Sequence, residues 1–248
     1  GVGGGLGYTN ATHVLDTRSQ PPRWRAVAAD GAAHAPSARR GATLSWSPGA
    51  GGGELLAFGG WDLLKVHADV SRFDLQTLEW ASANVLAEAA DGSEVALSPR
   101  PRRGHSATFI DGRMIVFGGC LGLSSYADDL WAFDNEQWLE LHSSGTAPSA
   151  RAWHTTNALD VRRWLLLLGG RDTEGCCDDS AWLLDVGTTL WTELRLPNAA
   201  IPMPRYSHTA TMLHEALLVV HGGRDDSGEL LGDVVHVNVQ ALLLGAGM

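Results

Sequence analysis

Residues 114–119 read Met-Ile-Val-Phe-Gly-Gly, an apolar run that ends in a diglycine. The same arrangement returns at residues 54–60, 165–170 and 218–223, and a fainter copy stands at residues 1–5. Successive clear pairs lie 59, 51 and 53 residues apart. A period of this length indicates a repeat architecture, in which one supersecondary unit recurs along the chain. We therefore expect recurring features to be scaffold, and features found in a single copy to be candidates for function.

Several other features recur in register with the diglycine. A polar residue opens an alternating apolar strand, as in Asp129-Leu-Trp-Ala-Phe-Asp134, and a tryptophan stands 19 to 21 residues after the second glycine. A proline and an arginine precede each clear diglycine, and in three copies a histidine lies three residues after that arginine. These residues are Trp24, Trp80, Trp138 and Trp191; Arg39, Arg102, Arg151 and Arg205; and His105, His154 and His208.

Every complete repeat contains four short apolar or alternating runs separated by turn residues, without helical periodicity. Four such strands form one small twisted sheet, and a ring of these sheets buries the faces that a single sheet would leave exposed. The glycines are expected where the chain turns sharply or where another backbone approaches closely. The tryptophan is expected to fill the gap between adjacent sheets, because it is large, flat and apolar.

The diglycine after an apolar strand, the aromatic strand downstream and the fourth-strand tryptophan resemble the kelch repeat. From about Gly4 to Asn238 the chain is similar to kelch-repeat β-propellers, in the superfamily of the galactose oxidase central domain. The resemblance implies an all-β propeller of four-stranded antiparallel blades, in a single domain. Three repeats are complete and two are partial, so we expect about five blades of an incomplete, longer propeller. The predicted blade pieces are residues 1–30, 36–84, 99–142, 148–195 and 204–240.

Composition limits the classes of partner. The chain has 18 basic and 28 acidic residues, a net charge of −10, which argues against nucleic-acid binding because such proteins use clustered Lys and Arg. No apolar run is long enough to cross a membrane. Three cysteines, with Cys176 and Cys177 adjacent, do not form a disulfide framework, which favours an intracellular, cytoplasmic setting. The arginine pairs at residues 39–40 and 102–103 belong to the repeat signal and are interpreted as scaffold.

The positions of the histidines and tyrosines do not match the sites of known enzymes with this fold. The three repeat histidines occupy equivalent slots of separate blades without a recurring acidic or cysteine partner, so we interpret them as hydrogen-bonded across strands rather than as metal ligands. Copper oxidases of this fold need a cross-linked Tyr–Cys pair and further Tyr and His ligands, whereas Tyr8, Tyr126 and Tyr206 stand in unrelated contexts. Iron-dependent plant specifier proteins also share the fold, but no compact Glu/Asp/His triplet is found. We predict no catalysis and no cofactor.

The loops after the diglycines differ from blade to blade, and such connections often carry function on rigid scaffolds. The resemblance implies that these loops share a partner-binding face with the loops between the fourth strand and the next blade. We therefore predict a non-catalytic module that binds another protein, as an adaptor or scaffold domain of a larger chain whose flanking domains are also candidate partners. The alternative is a metal-dependent enzyme, or a carbohydrate- or small-ligand-binding propeller, that uses the same loops. The candidate partner-binding residues are Trp61, Lys65, His67, Leu121, Tyr126, Arg171, Asp172, Glu174, Arg224 and Asp225.

Two interpretations of these loop residues remain open. The motif Gly-Gly-Arg-Asp occurs twice, so Arg171 and Arg224 either bind an acidic partner segment or tie down their own loops. The single-copy apolar residues Trp61, Leu121 and Tyr126 are interface anchors if exposed and loop packing if buried. The long loop at residues 81–98 contains Glu88, Asp91 and Glu94, and we expect it to be solvated and mobile.

Overall fold

The computed structural model describes residues 8–28, 34–49, 52–83, 98–159, 163–175, 180–194, 204–214 and 216–245. Within these ranges the chain forms seventeen strands and one short helix. The adjacent Cys176 and Cys177, and the acidic residues Glu88, Asp91 and Glu94 of the long loop, lie outside the described residues.

The strands pair in chain order into five antiparallel sheets, which we number blades 1 to 5: β1-β2, β3-β4-β5-β6, β7-β8-β9-β10, β11-β12-β13-β14 and β15-β16-β17. The all-β propeller, with three complete and two partial blades, is confirmed; that it is part of a longer propeller stays a prediction. The elements are β1 (Thr12–Asp16), β2 (Arg23–Ala28), β3 (Thr43–Ser47), β4 (Glu54–Phe58), β5 (Val70–Asp74), β6 (Trp80–Ser82), β7 (Ser106–Ile110), β8 (Arg113–Cys120), β9 (Tyr126–Asp134), β10 (Gln137–Leu141), β11 (Thr155–Leu159), β12 (Trp164–Leu168), β13 (Ala181–Asp185), β14 (Leu190–Leu194), β15 (Thr209–His214), β16 (Leu217–His221), β17 (Val234–Asn238) and α1 (Val239–Gly245).

In blades 2 to 5 the first strand is the inner one, and neighbouring inner strands contact each other around a common axis. Hydroxyl groups join them. The Ser45 hydroxyl in β3 donates to the carbonyl oxygen of Ala107 in β7 at 2.8 Å. The hydroxyls of Thr108 in β7 and Thr156 in β11 lie 2.7 Å apart. Because these polar groups bond to one another, the inner strands approach closely without leaving them unpaired.

The diglycine allows the next blade to approach the end of the second strand. Gly59 and Gly60 have φ values of +66° and +100°, the left-handed region in which other residues are strained. The N–H of Gly60 donates to the carbonyl oxygen of Arg102 in the following blade at 2.8 Å, and a Cβ on Gly59 would lie 2.6 Å from that oxygen. The same backbone bond recurs between blades 3 and 4 and between blades 4 and 5. The predicted close backbone approach is confirmed.

The repeat arginine is a buried tie within its own blade. Arg102 is 0% exposed, and one Nη donates to the carbonyl oxygen of Gly118 at 2.8 Å. Its two Nη atoms also donate to the two carboxylate oxygens of Asp129 at 2.7 and 2.8 Å. Although burial raises the pKa of Asp129, the hydrogen bonds from Arg102 hold that pKa below its ordinary value. The guanidinium thus joins the start of the blade to the end of its second strand and to the first half of its third strand.

Apolar side chains fill the gaps between neighbouring blades, and fourth-strand tryptophans extend these layers. Trp138 of blade 3 packs on Phe58 of blade 2 at a centroid distance of 4.8 Å, and on Phe133 of its own blade at 4.9 Å. Trp191 of blade 4 packs on Phe117 of blade 3 at 5.0 Å. The predicted gap-filling role is confirmed for these two tryptophans.

Replacing Trp138 with Ala is expected to lower the free energy of unfolding by about 3 kcal/mol, at the lower end of the range for aromatic truncations because Trp138 is half-buried. Urea denaturation measures the change. Trp24→Ala is the matched control, since Trp24 is 69% exposed in this structure, and it is expected to change stability by less than about 0.5 kcal/mol. Equal losses in the two variants would contradict the inter-blade role of Trp138.

The structure corrects the expectation of strands alone at one place. After β17, seven residues form α1, and the Asn238 side chain accepts the N–H of Ala241 at 3.0 Å as a helix cap. Val239 and Leu242, each 2% exposed, lie three residues apart and pack on the core between blades 4 and 5. A two-turn helix is too short to establish a period of 3.6 residues, so the sequence pattern missed it. Among the described residues, no helix has the length and apolar character needed to span a membrane.

Candidate functional site

In blades 2 to 5, the second residue after each repeat arginine belongs to an incomplete ring of backbone hydrogen bonds around the axis. The N–H of Gly104 donates to the carbonyl oxygen of Gly41 at 2.8 Å. The N–H of Trp153 donates to the carbonyl oxygen of Gly104 at 2.6 Å, and the N–H of Ser207 to that of Trp153 at 2.9 Å. All four residues have positive φ, which is ordinary for glycine but costs about 1 kcal/mol or more at Trp153 and Ser207. The ring of hydrogen bonds holds these two side chains in place despite that strain.

A second set of backbone bonds links this ring to the loops that follow the diglycines. In each of blades 2 to 5, the residue after the repeat arginine exchanges two hydrogen bonds of 2.8 to 3.0 Å with the residue after the diglycine. Both loop sets therefore lie on the same face, as the resemblance implied. The pairs are Arg40 with Trp61, Arg103 with Cys120, Ala152 with Arg171 and Tyr206 with Arg224.

A cavity of about 340 Å³, which we call the axial cavity, opens at this ring. Three arginines from three different blades line it, together with two aromatic side chains and one hydroxyl. Among the described residues of its lining there is no carboxylate, so its charge is positive although the chain as a whole is acidic. The lining side chains are Arg40, Arg103, Arg171, Trp153, Tyr206 and Ser207, beside Gly41.

Aromatic rings orient the three guanidinium groups. The Arg40 and Arg103 guanidinium carbons lie 4.5 and 5.0 Å from the centre of the Trp61 ring, and that of Arg171 lies 5.3 Å from the Tyr206 ring. Within the described part of the chain, no hydrogen bond or ion pair is formed by these three side chains, and the Nε atoms of Arg103 and Arg171 are buried without a partner. Stacking fixes the plane of a guanidinium and leaves its N–H donors free at the edge. The axial cavity therefore presents oriented, unused donors.

The sequence interpretation of the arginine pairs is half wrong. Arg39 and Arg102 are scaffold, since each donates to a diglycine carbonyl and to an aspartate of its own blade. Arg40 and Arg103 instead turn to the axial cavity. Successive side chains of an extended segment point to opposite sides, so one arginine enters the blade and the next faces the axis.

Trp153 is a functional candidate that sequence reasoning missed, as are Tyr206 and Ser207 of the same lining. The Trp153 ring contacts the Tyr126 ring edge-on, with 5.9 Å between the ring centres, and its centre lies 6.4 Å from that of the Tyr206 ring. Trp153 and Tyr206, which both line the axial cavity, form what we call its aromatic wall. A Cβ on Gly104 would lie 2.7 Å from the Trp153 indole nitrogen, so the neighbouring glycine makes room for this ring. Blades 2 and 3 have glycine in the equivalent slot. The rule that single-copy features mark function, applied to this slot, would have found Trp153.

The two copies of Gly-Gly-Arg-Asp take different arrangements. Arg171 lines the axial cavity and stacks on Tyr206. Arg224 is exposed, and its Nη1 donates to the carbonyl oxygen of Gly228 in its own loop at 2.6 Å. Of the two open interpretations, the geometry of Arg171 supports ligand binding, and that of Arg224 supports loop anchoring.

The acidic candidates hold their own loops. A carboxylate oxygen of Asp172 accepts the N–H of Glu174 at 3.0 Å, and one of Asp225 accepts the N–H of Glu229 at 3.0 Å. The hydroxyl of Ser227 and the loop N–H groups hold the pKa of Asp225 below its ordinary value. Glu174 itself is exposed.

The remaining candidates lie on the loops around the axial cavity. Trp61, Leu121 and Tyr126 are half-buried, and Trp61 and Tyr126 support lining residues through the ring contacts described above. Lys65 is exposed, outside the cavity lining. His67 is 7% exposed, with its Nε2 2.7 Å from a carboxylate oxygen of Asp62, so this histidine stabilises its loop and is not accessible to a partner.

The repeat histidines form hydrogen bonds across blades, as predicted. Each Nε2 lies 2.9 to 3.0 Å from a hydroxyl of the preceding blade's inner strand. Burial, followed by the charge of the adjacent repeat arginine, lowers the pKa of all three, to about 3 at His105 and to about 4 at His208. Among the described residues, no three metal-ligating side chains are grouped to hold an ion. The pairs are His105 with Thr43, His154 with Ser106 and His208 with Thr155.

Comparison with known proteins extends these observations. The KLHDC2/KLHL20/DRC7 Kelch-repeats domain matches residues 94–242. Kelch domain-containing protein 1 of Mus musculus is 29% identical over 73% of this chain and 41% of its own length. Adagio-like protein 3 of Oryza sativa subsp. japonica is 30% identical over 86% of this chain and 33% of its own length. An F-box/kelch-repeat protein of Arabidopsis thaliana is 33% identical over 58% of this chain and 32% of its own length. The chain spans less than half the length of each of these relatives.

Proposed function

This chain belongs to the kelch-repeat family of β-propellers, and from that premise we propose that it is a non-catalytic module that binds an acidic segment of another protein at the axial cavity. The observation that carries the proposal is the set of three guanidinium groups that aromatic rings orient and that have no hydrogen-bond or ion-pair partner in the described part of the chain. Guanidinium groups form their strongest hydrogen bonds with carboxylate and phosphate oxygens. A partner that supplies such oxygens satisfies donors that the described residues of the propeller leave unused.

The surroundings of the axial cavity favour selectivity for such a segment. The net charge of −10 on the whole chain repels acidic partners elsewhere on the surface, whereas the axial cavity attracts them locally. Trp61 and Tyr206 hold the guanidinium planes before binding, so little side-chain entropy is lost when a ligand arrives. Recognition then depends on a few preorganised arginine contacts surrounded by loops that differ between blades.

The role of adaptor or scaffold domain rests on the same site and on the size of the relatives. The chain spans only a part of each relative, and one relative is named for an F-box together with kelch repeats. Both facts support a propeller that serves as the recognition part of a larger protein. Catalysis is not needed for that role.

Replacing Arg103 and Arg171 together with Ala is expected to weaken binding of a fluorescein-labelled hexaglutamate peptide by about tenfold or more. The loss of a single charge-assisted hydrogen bond lowers the affinity by about tenfold. Fluorescence anisotropy at low salt measures the affinity, and hexaglutamine is the uncharged probe. The thermal unfolding midpoint is expected to stay near that of the parent chain, because neither guanidinium hydrogen-bonds to the described scaffold.

Arg23→Ala/Arg25→Ala is the matched control, because it removes the same charge from exposed positions on β2. The control is expected to bind hexaglutamate like the parent chain. Equal weakening in both double variants would show that only net charge matters, and the axial site would be abandoned. Stoichiometric copper or iron in the purified protein would contradict the non-catalytic role.

A further inference from the structure

The number of charges in the axial cavity points to a more specific ligand than an acidic side chain. A carboxylate carries one negative charge and two oxygens, which a single arginine satisfies in a bidentate pair. The axial cavity offers three guanidinium groups, and the described residues of its lining contribute no negative charge. One bound carboxylate would therefore leave most of the positive charge uncompensated.

The placement of the arginines adds a geometric argument. Arg40, Arg103 and Arg171 come from blades 2, 3 and 4, so their donors reach the axial cavity from separate positions around the axis. The Nε atoms of Arg103 and Arg171 are buried and lack an acceptor within the described residues. A carboxylate presents its oxygens in one plane, whereas a tetrahedral oxyanion presents them in several directions. The tetrahedral group fits donors that converge from three blades.

We propose that the axial cavity binds a phosphomonoester carried by a partner protein, so that phosphorylation of the partner controls its capture. This inference rests on the proposed function and names the ligand of the same site. A phosphomonoester carries about −1.5 to −2 charges near neutral pH and has three terminal oxygens, one for each guanidinium. Arginine clusters recognise phosphorylated segments by this chemistry.

The aromatic wall accommodates the group that bears the phosphate. Trp153 and Tyr206 are half-buried beside the arginines, and Trp153 keeps its position despite a left-handed backbone that glycine occupies in blades 2 and 3. A residue held in a strained conformation at the wall of a cavity indicates a functional contact. The rings pack against either the short stem of phosphoserine or the ring of phosphotyrosine, and the Ser207 hydroxyl lies in the same lining.

The test uses four fluorescein-labelled peptides that are identical except at one central residue, which is phosphoserine, phosphotyrosine, glutamate or serine. The phosphopeptides are expected to bind the full chain about tenfold or more tightly than the glutamate peptide, and the serine peptide is expected not to bind. Inorganic phosphate is expected to compete with them, while chloride at the same ionic strength is not. The tighter of the two phosphopeptides identifies the source of the group.

The two double variants locate the site. Arg103→Ala/Arg171→Ala is expected to lose the preference for phosphopeptides, and Arg23→Ala/Arg25→Ala is expected to retain it. If the glutamate peptide and hexaglutamate bind as tightly as the phosphopeptides and depend on Arg103 and Arg171, the phosphomonoester inference is overturned and the proposed function stands. If no peptide depends on these two arginines, both are overturned.

Discussion

Replacing Arg102 with Ala is expected to lower the free energy of unfolding by about 4 kcal/mol, within the range for breaking a buried ion pair. Arg102 is 0% exposed, and the side chain of its partner Asp129 is 24% exposed. Without the guanidinium, that carboxylate loses both of its bonds to Arg102 and keeps only the one from the Trp131 indole N–H among its described side-chain partners, and the carbonyl oxygen of Gly118 loses a donor. Urea denaturation measures the change.

The adjacent residue is the control. Arg103→Ala is expected to change the free energy of unfolding by less than about 1 kcal/mol, because the Arg103 side chain forms no hydrogen bond or ion pair within the described chain and its backbone bonds to Cys120 remain in the variant. Arg102→Lys is expected to restore little of the loss, since an ammonium group lacks the planar fork that meets both carboxylate oxygens. If Arg102→Ala and Arg103→Ala were equally destabilising, the division of this pair into a scaffold residue and a site residue would be wrong.

The sequence predicted those parts of the fold in which the same residue makes the same contact in every repeat. The diglycine of one blade contacts the repeat arginine of the next, as in the 2.8 Å hydrogen bond from the Gly60 N–H to the carbonyl oxygen of Arg102. Residues that meet at every blade junction must recur at a fixed spacing, so periodicity alone predicts blades and register. Trp138 and Trp191 belong to the same class, because each fills the gap to the preceding blade.

The candidate site was less predictable because it depends on where individual side chains point. Arg102 and Arg103 are chemically identical neighbours, and only the direction of the chain at the ring sends one into the blade and the other to the axis. Arg171 and Arg224 share the motif Gly-Gly-Arg-Asp, yet Arg171 reaches the Tyr206 ring of the next blade while Arg224 binds its own loop. A contact from a neighbouring blade is tertiary information that a local motif does not contain.

Lowering the pH from about 8 to about 5 is expected to reduce the free energy of unfolding by about 6 kcal/mol, about 2 kcal/mol for each repeat histidine. Burial, followed by the charge of Arg102, lowers the pKa of His105 to about 3. Burial and Arg205 lower that of His208 to about 4, and burial and Arg151 lower that of His154 well below its ordinary value. The folded protein thus keeps these imidazoles neutral, whereas the unfolded chain takes up protons below about pH 6.5. The stabilisation is complete about one pH unit or more above 6.5 and falls as the solution is acidified.

The pH window isolates the histidines, because the aspartates whose pKa values are lowered in the fold, such as Asp129 and Asp233, lose their contribution only below about pH 4. Urea denaturation at several pH values gives the slope of stability against pH. His105→Gln is expected to reduce that slope by about one third, since one of three protons no longer binds on unfolding. His13→Gln, at an exposed position in β1, is expected to leave the slope unchanged. If His105→Gln also left it unchanged, the hydrogen bond between His105 and Thr43 would not be holding a neutral imidazole, and the acid sensitivity would have to arise elsewhere in the chain.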